Sequence, residues 1–321
     1  MLKVGVPSWI DEHLFAKFPS GVSIQRMESN LTRDLEVEFL VAYPSVKGFQ
    51  QALPHLHGLR VVQAMTAGVD WLKKLVPEGL VLCDGQGMHN IPTAEWTITA
   101  ILSSLKFFPF YRDLQHTGEW QRLREADTTY RQLHRNEQLT TFKVLQEELY
   151  GKRVMIVGYG SIGKSIEERL LAFGVDIVRV ARSARDGVEA IERLPELLPQ
   201  VDVVVLIVPL TEETTGMIGA RELALMKQGA LLVNAARGPV VQTDALVEAL
   251  QSGRIRAAFD VTDPEPLPQD HPLWSAPNLL LTPHIAGSTP RSMERAITFA
   301  AEQAGRYQRG EPLQNVVTGN Y

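Results

Sequence analysis

Apolar residues recur in this chain as short continuous runs set between turn signals, with amphipathic stretches in the gaps. That rhythm predicts strands alternating with helices in parallel α/β layers. Up to about residue 90 the runs are Val4 to Val6, Val37 to Ala42, Leu59 to Ala64 and Leu80 to Cys83, and helical patterns cover Asp11 to Phe18 and Phe49 to Leu53. A long helix is expected from Thr93 to about His116, entered through Pro92 and ending near Gly118. Its length and its residues Ile98, Ile101, Leu102 and Leu105 suit a helix buried between two domains. Trp120 to Tyr150, rich in Arg, Glu, Gln and Thr, is the least regular stretch; Leu139 to Leu149 reads as a short helix within it. Such a segment is a lid or partner arm, or a solvated excursion, and the excursion is the favoured reading.

Past this point the four-residue run Val154 to Val157 enters Gly158-Tyr159-Gly160-Ser161-Ile162-Gly163 and then a helical pattern. The rhythm continues with strands Ile177 to Val180, Val201 to Val208, Ala230 to Val233, Ala257 to Phe259 and Leu279 to Leu281. Helices are expected at Val188 to Leu198, Arg221 to Met226 and Thr243 to Gln251. Pro290 to Arg306 forms an amphipathic helix that returns to the first unit. The expected architecture is α/β: a Rossmann-type doubly wound parallel sheet domain, residues 99–287, inserted into a smaller flavodoxin-like α/β domain of residues 1–98 and 288–321.

Composition narrows the function classes. A chain of 321 residues, 45% apolar and 21% charged, suits a two-domain globular protein. The formal net charge of −5 offers no footprint for nucleic acid or an anionic membrane, and neither partner is expected. The single cysteine, Cys83, excludes an intramolecular disulfide, and no Cys/His cluster has zinc spacing, so no metal is expected. No apolar stretch approaches the ~18 residues of a membrane span. The N-terminal Met1 to Pro7 reads as a first strand rather than a signal peptide, and the expected location is cytoplasmic.

The chemistry is read from the strand ends. Gly158 to Gly163 has the spacing of a dinucleotide fingerprint, in which glycines allow a tight turn and bring the backbone close to a pyrophosphate at the next helix N-terminus. Ligands of open α/β sheets bind beyond the carboxyl ends of strands. The polar residues there are Pro209-Leu210-Thr211, Asn234-Ala235-Ala236-Arg237-Gly238, Asp260, Asp263-Pro264-Glu265 and Pro283-His284. The Met65 to Asp70 turn could expose backbone N–H groups to an anion. NAD-selective sites carry an acidic residue at the end of the second strand, but here that strand runs into Arg182-Ser183-Ala184-Arg185. Two guanidinium groups and a hydroxyl suit a 2′-phosphate, so NADP(H) is the preferred cofactor, with NAD(H) a lesser one.

Asn234 to Val241, Phe259 to Leu267 and Thr282 to Gly287 resemble the three signature blocks of the D-isomer-specific 2-hydroxyacid dehydrogenases, and the match runs over nearly the whole chain. Val208 to Thr211, Thr214-Thr215-Gly216 and Ala67 to Asp70 also fit that family. The resemblance implies that His284 is the general acid in reduction and the base in oxidation, that Glu265 pairs with its imidazole, and that Arg237 holds the substrate carbonyl and carboxylate. It implies substrate contacts from Thr66, Ala67 and Gly68, a nicotinamide carboxamide contact from Asp260, and cofactor contacts from Pro209, Thr214, Ala235, Ala236, His284 and Gly287. It further implies a homodimer acting on a small 2-keto acid of the glyoxylate or hydroxypyruvate type. These roles make physical sense: reduction of a ketone creates an oxyanion that needs a proton, and an imidazole with a reference pKa near ~6.5 exchanges one near neutrality. Two alternatives stand beside this reading, a phosphite-type dehydrogenase, kept in mind by Pro92-Thr93-Ala94-Glu95, and a dinucleotide-sensing corepressor without enzymatic activity. Glu265 argues against a formate enzyme, whose pattern has a glutamine at that place.

Overall fold

The computed structural model of the chain describes residues 1–28, 30–42, 45–133 and 146–318. It divides into one unit of Met1–Pro92 with Gly287–Tyr321 and another of Thr93–Ala286, so the second is inserted in the sequence of the first. The sequence placed the first crossing after residue 98; the helix that carries it begins earlier than its apolar pattern does, at Asn90.

In the first unit the strands are β1 (Leu2–Pro7), β2 (Val22–Met27), β3 (Leu35–Glu36), β4 (Phe39–Val41), β5 (Leu56–His57), β6 (Val61–Gln63) and β7 (Val81–Cys83). Five of them make a parallel sheet in the order β2-β1-β4-β6-β7, while β3 and β5 pair separately. Numbered among themselves the five run 2-1-3-4-5, the flavodoxin-like order. Phe39, Val41, Val61 and Cys83 enter one core and Leu40, Val62 and Leu82 the other, so both faces of the sheet are covered. That double burial is why these strands read as unbroken apolar runs. β2 escaped the sequence pattern because it is an edge strand, only partly buried and interrupted by Ser23, Gln25 and Arg26. The short helices α1 (Val46–Ala52) and α2 (Asp70–Lys73) connect these strands, and α3 (Asn90–Leu105) leads out of the unit.

The expected single helix from Thr93 to His116 is two. α3 ends at Leu105, Phe107 adopts a left-handed φ of 55°, and α4 (Phe108–Thr117) starts with Pro109 in its first turn. Proline has no N–H to continue a helix and crowds the preceding turn, so it restarts rather than extends one. The buried α3 residues Ala94, Ile98, Ile101 and Leu105 pack within the second unit's own core. The segment expected to be irregular begins as α5 (Leu123–Leu133), with Arg122 bonded to both Glu119 and Glu125 at 2.7 Å. A helix made mostly of polar residues and local ion pairs leaves little apolar periodicity to detect. The helix expected over Leu139 to Leu149 falls largely outside the described residues, and Gln146 to Glu148 are not helical.

From there the second unit runs β8 (Arg153–Val157), α6 (Ser161–Leu170), β9 (Asp176–Ala181), β10 (Glu189–Ala190), α7 (Leu194–Leu197), β11 (Val203–Leu206), α8 (Ala220–Leu225), β12 (Leu231–Asn234), α9 (Thr243–Gln251), β13 (Arg256–Phe259) and β14 (Leu279–Leu281). The helix expected at Val188 to Leu198 shrinks to α7 between 3₁₀ turns, since Pro195 and Pro199 punctuate it. All seven strands are parallel, in the order β10-β9-β8-β11-β12-β13-β14. Alternate residues again divide: Val154, Ile156, Val203, Val205, Leu231 and Val233 enter one core, and Met155, Val157, Val204, Leu206 and Leu232 the other. The sheet order reverses between β8 and β11, the point where doubly wound sheets bind their ligands.

α10 (Pro290–Gln308) closes the chain. The Thr289 hydroxyl accepts from the Ser292 N–H at its start, and Ala296, Ile297, Ala300 and Ala304 complete the first unit's core. Burying a side chain such as Ile297 stabilises by about 1.5–3 kcal/mol relative to exposure. Among the described residues no helix is long and apolar enough to cross a membrane.

Candidate active site

Three adjacent strands of the second unit end level with one another: Asn234 of β12 is in register with Phe259 of β13, which is in register with Leu281 of β14. Arg237, Glu265 and His284 lie three, six and three residues beyond these ends, on neighbouring loops. Asn234 is fully buried and shapes the first loop, its carbonyl oxygen accepting from the Ala236 N–H at 3.0 Å and its amide donating to the Arg237 C=O at 3.0 Å. Arg237 in turn donates through Nη1 to the Ala236 C=O at 2.8 Å. Gly238 then passes so close to the second loop that a Cβ there would sit 1.9 Å from the Thr262 carbonyl oxygen. Glycine at 238 is therefore what lets the arginine turn and the glutamate loop touch.

His284 Nδ1 lies 2.6 Å from Glu265 Oε1. An ionised carboxylate only accepts, so Nδ1 carries the proton of this bond and Nε2 is left to exchange one. The His284 backbone is left-handed, φ 54°, unusual for a residue with a Cβ. Its N–H donates to the Asp260 C=O at 2.7 Å. The Asp260 side chain, 2% exposed, accepts from the Ile285 N–H at 2.9 Å, the Ala286 N–H at 2.8 Å and the Thr282 hydroxyl at 2.6 Å. Trp96 Nε1 donates to the same Thr282 oxygen at 3.0 Å. Asp260, expected at the carboxamide of a cofactor, thus holds both sides of the histidine loop. Sequence reasoning missed Thr282 and Trp96 as its supports; Thr282 lies in the third signature block, but its meeting with Trp96 joins positions 186 apart in sequence, which no local pattern records.

The glycine loop meets the steric demands of a bound dinucleotide. Gly158 has φ +104°, and a Cβ there would lie 2.4 Å from the Ile207 carbonyl oxygen. A Cβ on Gly163 would approach the Gly158 carbonyl oxygen to 2.9 Å, so this glycine sets the closeness of helix and strand. Nothing approaches the corresponding position of Gly160, which leaves open space where a ligand's phosphates would meet the backbone. Gly160 is also the cap of α6 and offers no side chain to its first turn, which leads on to Ser161 and Ile162. Tyr159 donates its hydroxyl to Glu167, which also binds Arg179 of β9; the arginine holds the carboxyl below the usual carboxylate range.

The residues expected at the cofactor's 2′ end have defined partners. Arg185 Nη2 donates to the Tyr159 C=O at 2.7 Å, within the glycine loop, and Arg182 Nη2 lies 2.6 Å from Glu213 Oε1. Ser183 lies between them on an exposed turn. Glu213 was not singled out from sequence, since an exposed loop carboxylate has no pattern of its own. Thr214 closes the loop that carries it, with its hydroxyl donating to the Pro209 C=O at 2.7 Å.

In the first unit, Thr66 donates its hydroxyl to the Gly68 C=O at 2.9 Å, closing the small turn with Ala67 at its centre. His89 braces this turn, its ring nitrogens lying 3.0 Å from the Met65 carbonyl oxygen and 3.1 Å from that of Gly287. Beside it a cavity of about 380 Å³ is lined by residues including Met65, Thr66, His89, Met293 and Ala296.

Comparison with known proteins agrees with this geometry. Residues 98–286 match the model of the D-isomer specific 2-hydroxyacid dehydrogenase NAD binding domain. The chain is 33% identical over 301 residues to D-3-phosphoglycerate dehydrogenase of Methanocaldococcus jannaschii, covering 90% of this chain and 53% of that protein, so it spans about half of that relative's length. It is 35% identical over 267 residues to glyoxylate reductase of Aeropyrum pernix, covering 81% of this chain and 76% of that protein. Among solved structures it resembles a D-isomer specific 2-hydroxyacid dehydrogenase from Xanthobacter autotrophicus Py2 in complex with NADPH and MES, with a TM-score of 0.79, 27% identity and 98% of each chain covered.

Proposed function

The chain belongs to the D-isomer specific 2-hydroxyacid dehydrogenases, and from that premise we propose that it reduces a small 2-keto acid of the glyoxylate or hydroxypyruvate type to the D-2-hydroxy acid with NADPH. The observation that carries the reading is the His284 to Glu265 contact of 2.6 Å on loops adjoining that of Arg237. The bound nicotinamide supplies the hydride in reduction and takes it in oxidation. Arg237 presents a planar cation to the keto oxygen and carboxylate, favouring the charge that grows on the oxygen. His284 gives that oxygen a proton from Nε2 and recovers it in the reverse direction, while Glu265, on Nδ1, fixes the tautomer and the orientation of the ring. In this reading Ala235, Ala236 and the Pro209 to Thr214 loop flank the cofactor.

Cofactor preference rests on Arg182, Ser183 and Arg185, together with the lack of an acidic residue where β9 ends. A homodimer is part of the same reading; the exposed aromatic side chains of Phe108 and Trp120 on the second unit support an interface between copies.

The test is a panel of 2-keto acids, from glyoxylate to longer chains, assayed with NADPH and with NADH. NADPH is expected to give the higher kcat/KM, and NADH at least as efficient would sink the cofactor assignment. His284→Ala and Arg237→Ala should each lower kcat/KM by on the order of 10²-fold or more. Near-normal turnover in either would undo the mechanism.

A further inference from the structure

Arg182 is the first residue after β9, and its guanidinium is occupied by the Glu213 carboxylate at 2.6 Å. The two residues come from loops on either side of the glycine turn. Gly158 and Tyr159 both donate their N–H groups to the Val180 C=O, near the end of β9, while the Ile207 C=O, just past β11, faces the Gly158 Cα. Glu213 is not on a loosely held segment. The Thr211 N–H donates to the Thr214 hydroxyl at 2.8 Å, and the Thr215 hydroxyl donates to the Thr211 C=O at 2.7 Å, closing the loop on both sides of it. Both partners of the ion pair remain open to solvent, with side chains 63% and 62% exposed. An exposed pair of this kind contributes little to folding, so its chemistry is available to a ligand.

The end of the second strand is where a doubly wound sheet meets the adenosine ribose. We infer that Glu213 sets cofactor choice by competing with a 2′-phosphate for Arg182, lowering the preference for NADP(H) that Arg182 creates. A 2′-phosphate carries up to two negative charges and binds a guanidinium in the same bidentate manner as a carboxylate. To reach Arg182 it must displace Glu213 and then sit beside a carboxylate that has lost its partner. A 2′-hydroxyl carries no charge and can donate a hydrogen bond to a carboxylate, so NAD(H) does not meet this obstacle. Glu213 thereby does from a third loop what an acidic residue at the strand end does in NAD-selective sites.

This rests on the dinucleotide site proposed above but is separable from the NADPH assignment. The test measures binding of 2′,5′-ADP and of 5′-ADP to the full-length protein by calorimetry at fixed ionic strength, for the unaltered chain, Glu213→Gln, Arg182→Ala and the double variant. Glu213→Gln should tighten 2′,5′-ADP about three- to tenfold and change 5′-ADP less than twofold, an effect of the size expected for one partly screened charge. The kcat/KM ratio of NADPH to NADH should rise by the same factor. In the Arg182→Ala background the Glu213→Gln effect should vanish, because the two act as a pair. Unchanged 2′,5′-ADP affinity in Glu213→Gln overturns the inference, as does equal tightening of both nucleotides, or the same tightening when Arg182 is absent. Were the unaltered protein to prefer NADH while Glu213→Gln still shifted the ratio toward NADPH, the NADPH assignment would fail and this inference would hold.

Discussion

Asp260 lies just beyond β13, a position that suggests ligand contact, yet its carboxylate is bonded to the Thr282 hydroxyl and to the Ile285 and Ala286 N–H groups. At 2% exposure, each unmet bond here would leave a buried polar group unpaired. Its bonds restrain the left-handed His284 backbone from both sides, and the role proposed for it beside any cofactor contact is to position that histidine. Asp260→Asn keeps the shape but turns one acceptor into a donor facing an N–H or hydroxyl. It should lower kcat by on the order of 10²-fold, the scale of a displacement near 1 Å, with a smaller change in the KM for cofactor. Steady-state kinetics decide: a KM effect larger than the kcat effect would return Asp260 to direct cofactor contact.

At the scale of elements, the joint between α6 and β9 depends on Glu167. It is buried, accepts from the Tyr159 hydroxyl and from Arg179, and Arg179 also lies 5.7 Å over the Tyr159 ring. The hydrogen bonds from Arg179, followed by the one from Tyr159, outweigh burial and hold the carboxyl below its ordinary range. A lowered folded-state value means that this stabilisation is present above the unfolded value, near ~4.3, and is lost as pH falls through the folded value. Denaturant unfolding should therefore show Glu167→Gln less stable than the unaltered chain at pH 7, on the order of 1–3 kcal/mol, with the gap narrowing below about pH 4. A gap that stays constant with pH would assign the loss to packing alone. The buried pair of Arg256 on β13 with Glu147, which Lys152 also reaches at 2.6 Å, is a second such joint at the opposite ends of the strands.

For the whole molecule, the proposed cofactor contacts fall almost entirely in the inserted unit, so cofactor binding should stabilise that unit by mass action. At a cofactor concentration 100 times its Kd the expected gain is about 2.7 kcal/mol, and a thermal scan should show a transition raised more by NADPH than by NADH at equal concentration. No shift with either cofactor would contradict dinucleotide binding itself. Much of this architecture was legible along the chain. Doubly covered parallel strands must be apolar on both faces, so Val154 to Val157 and its counterparts announced themselves, and Gly158, Gly163 and Gly238 mark places where the neighbouring backbone leaves no room for a side chain. The candidate catalytic residues were drawn from the loops that follow strands whose ends the pattern locates, three to six residues on, and their roles came from the resemblance to the family. Polar helices, edge strands and proline-divided helices were not, as the behaviour of α5, β2 and α4 shows. What only the tertiary structure decided is which polar side chains meet. Asp260 with Thr282, and Arg182 with Glu213, are joined across loops from different strands, and Trp96 reaches Thr282 from α3. Such pairings are set by sheet order and strand register, long-range properties that a local pattern of apolar and polar residues does not encode.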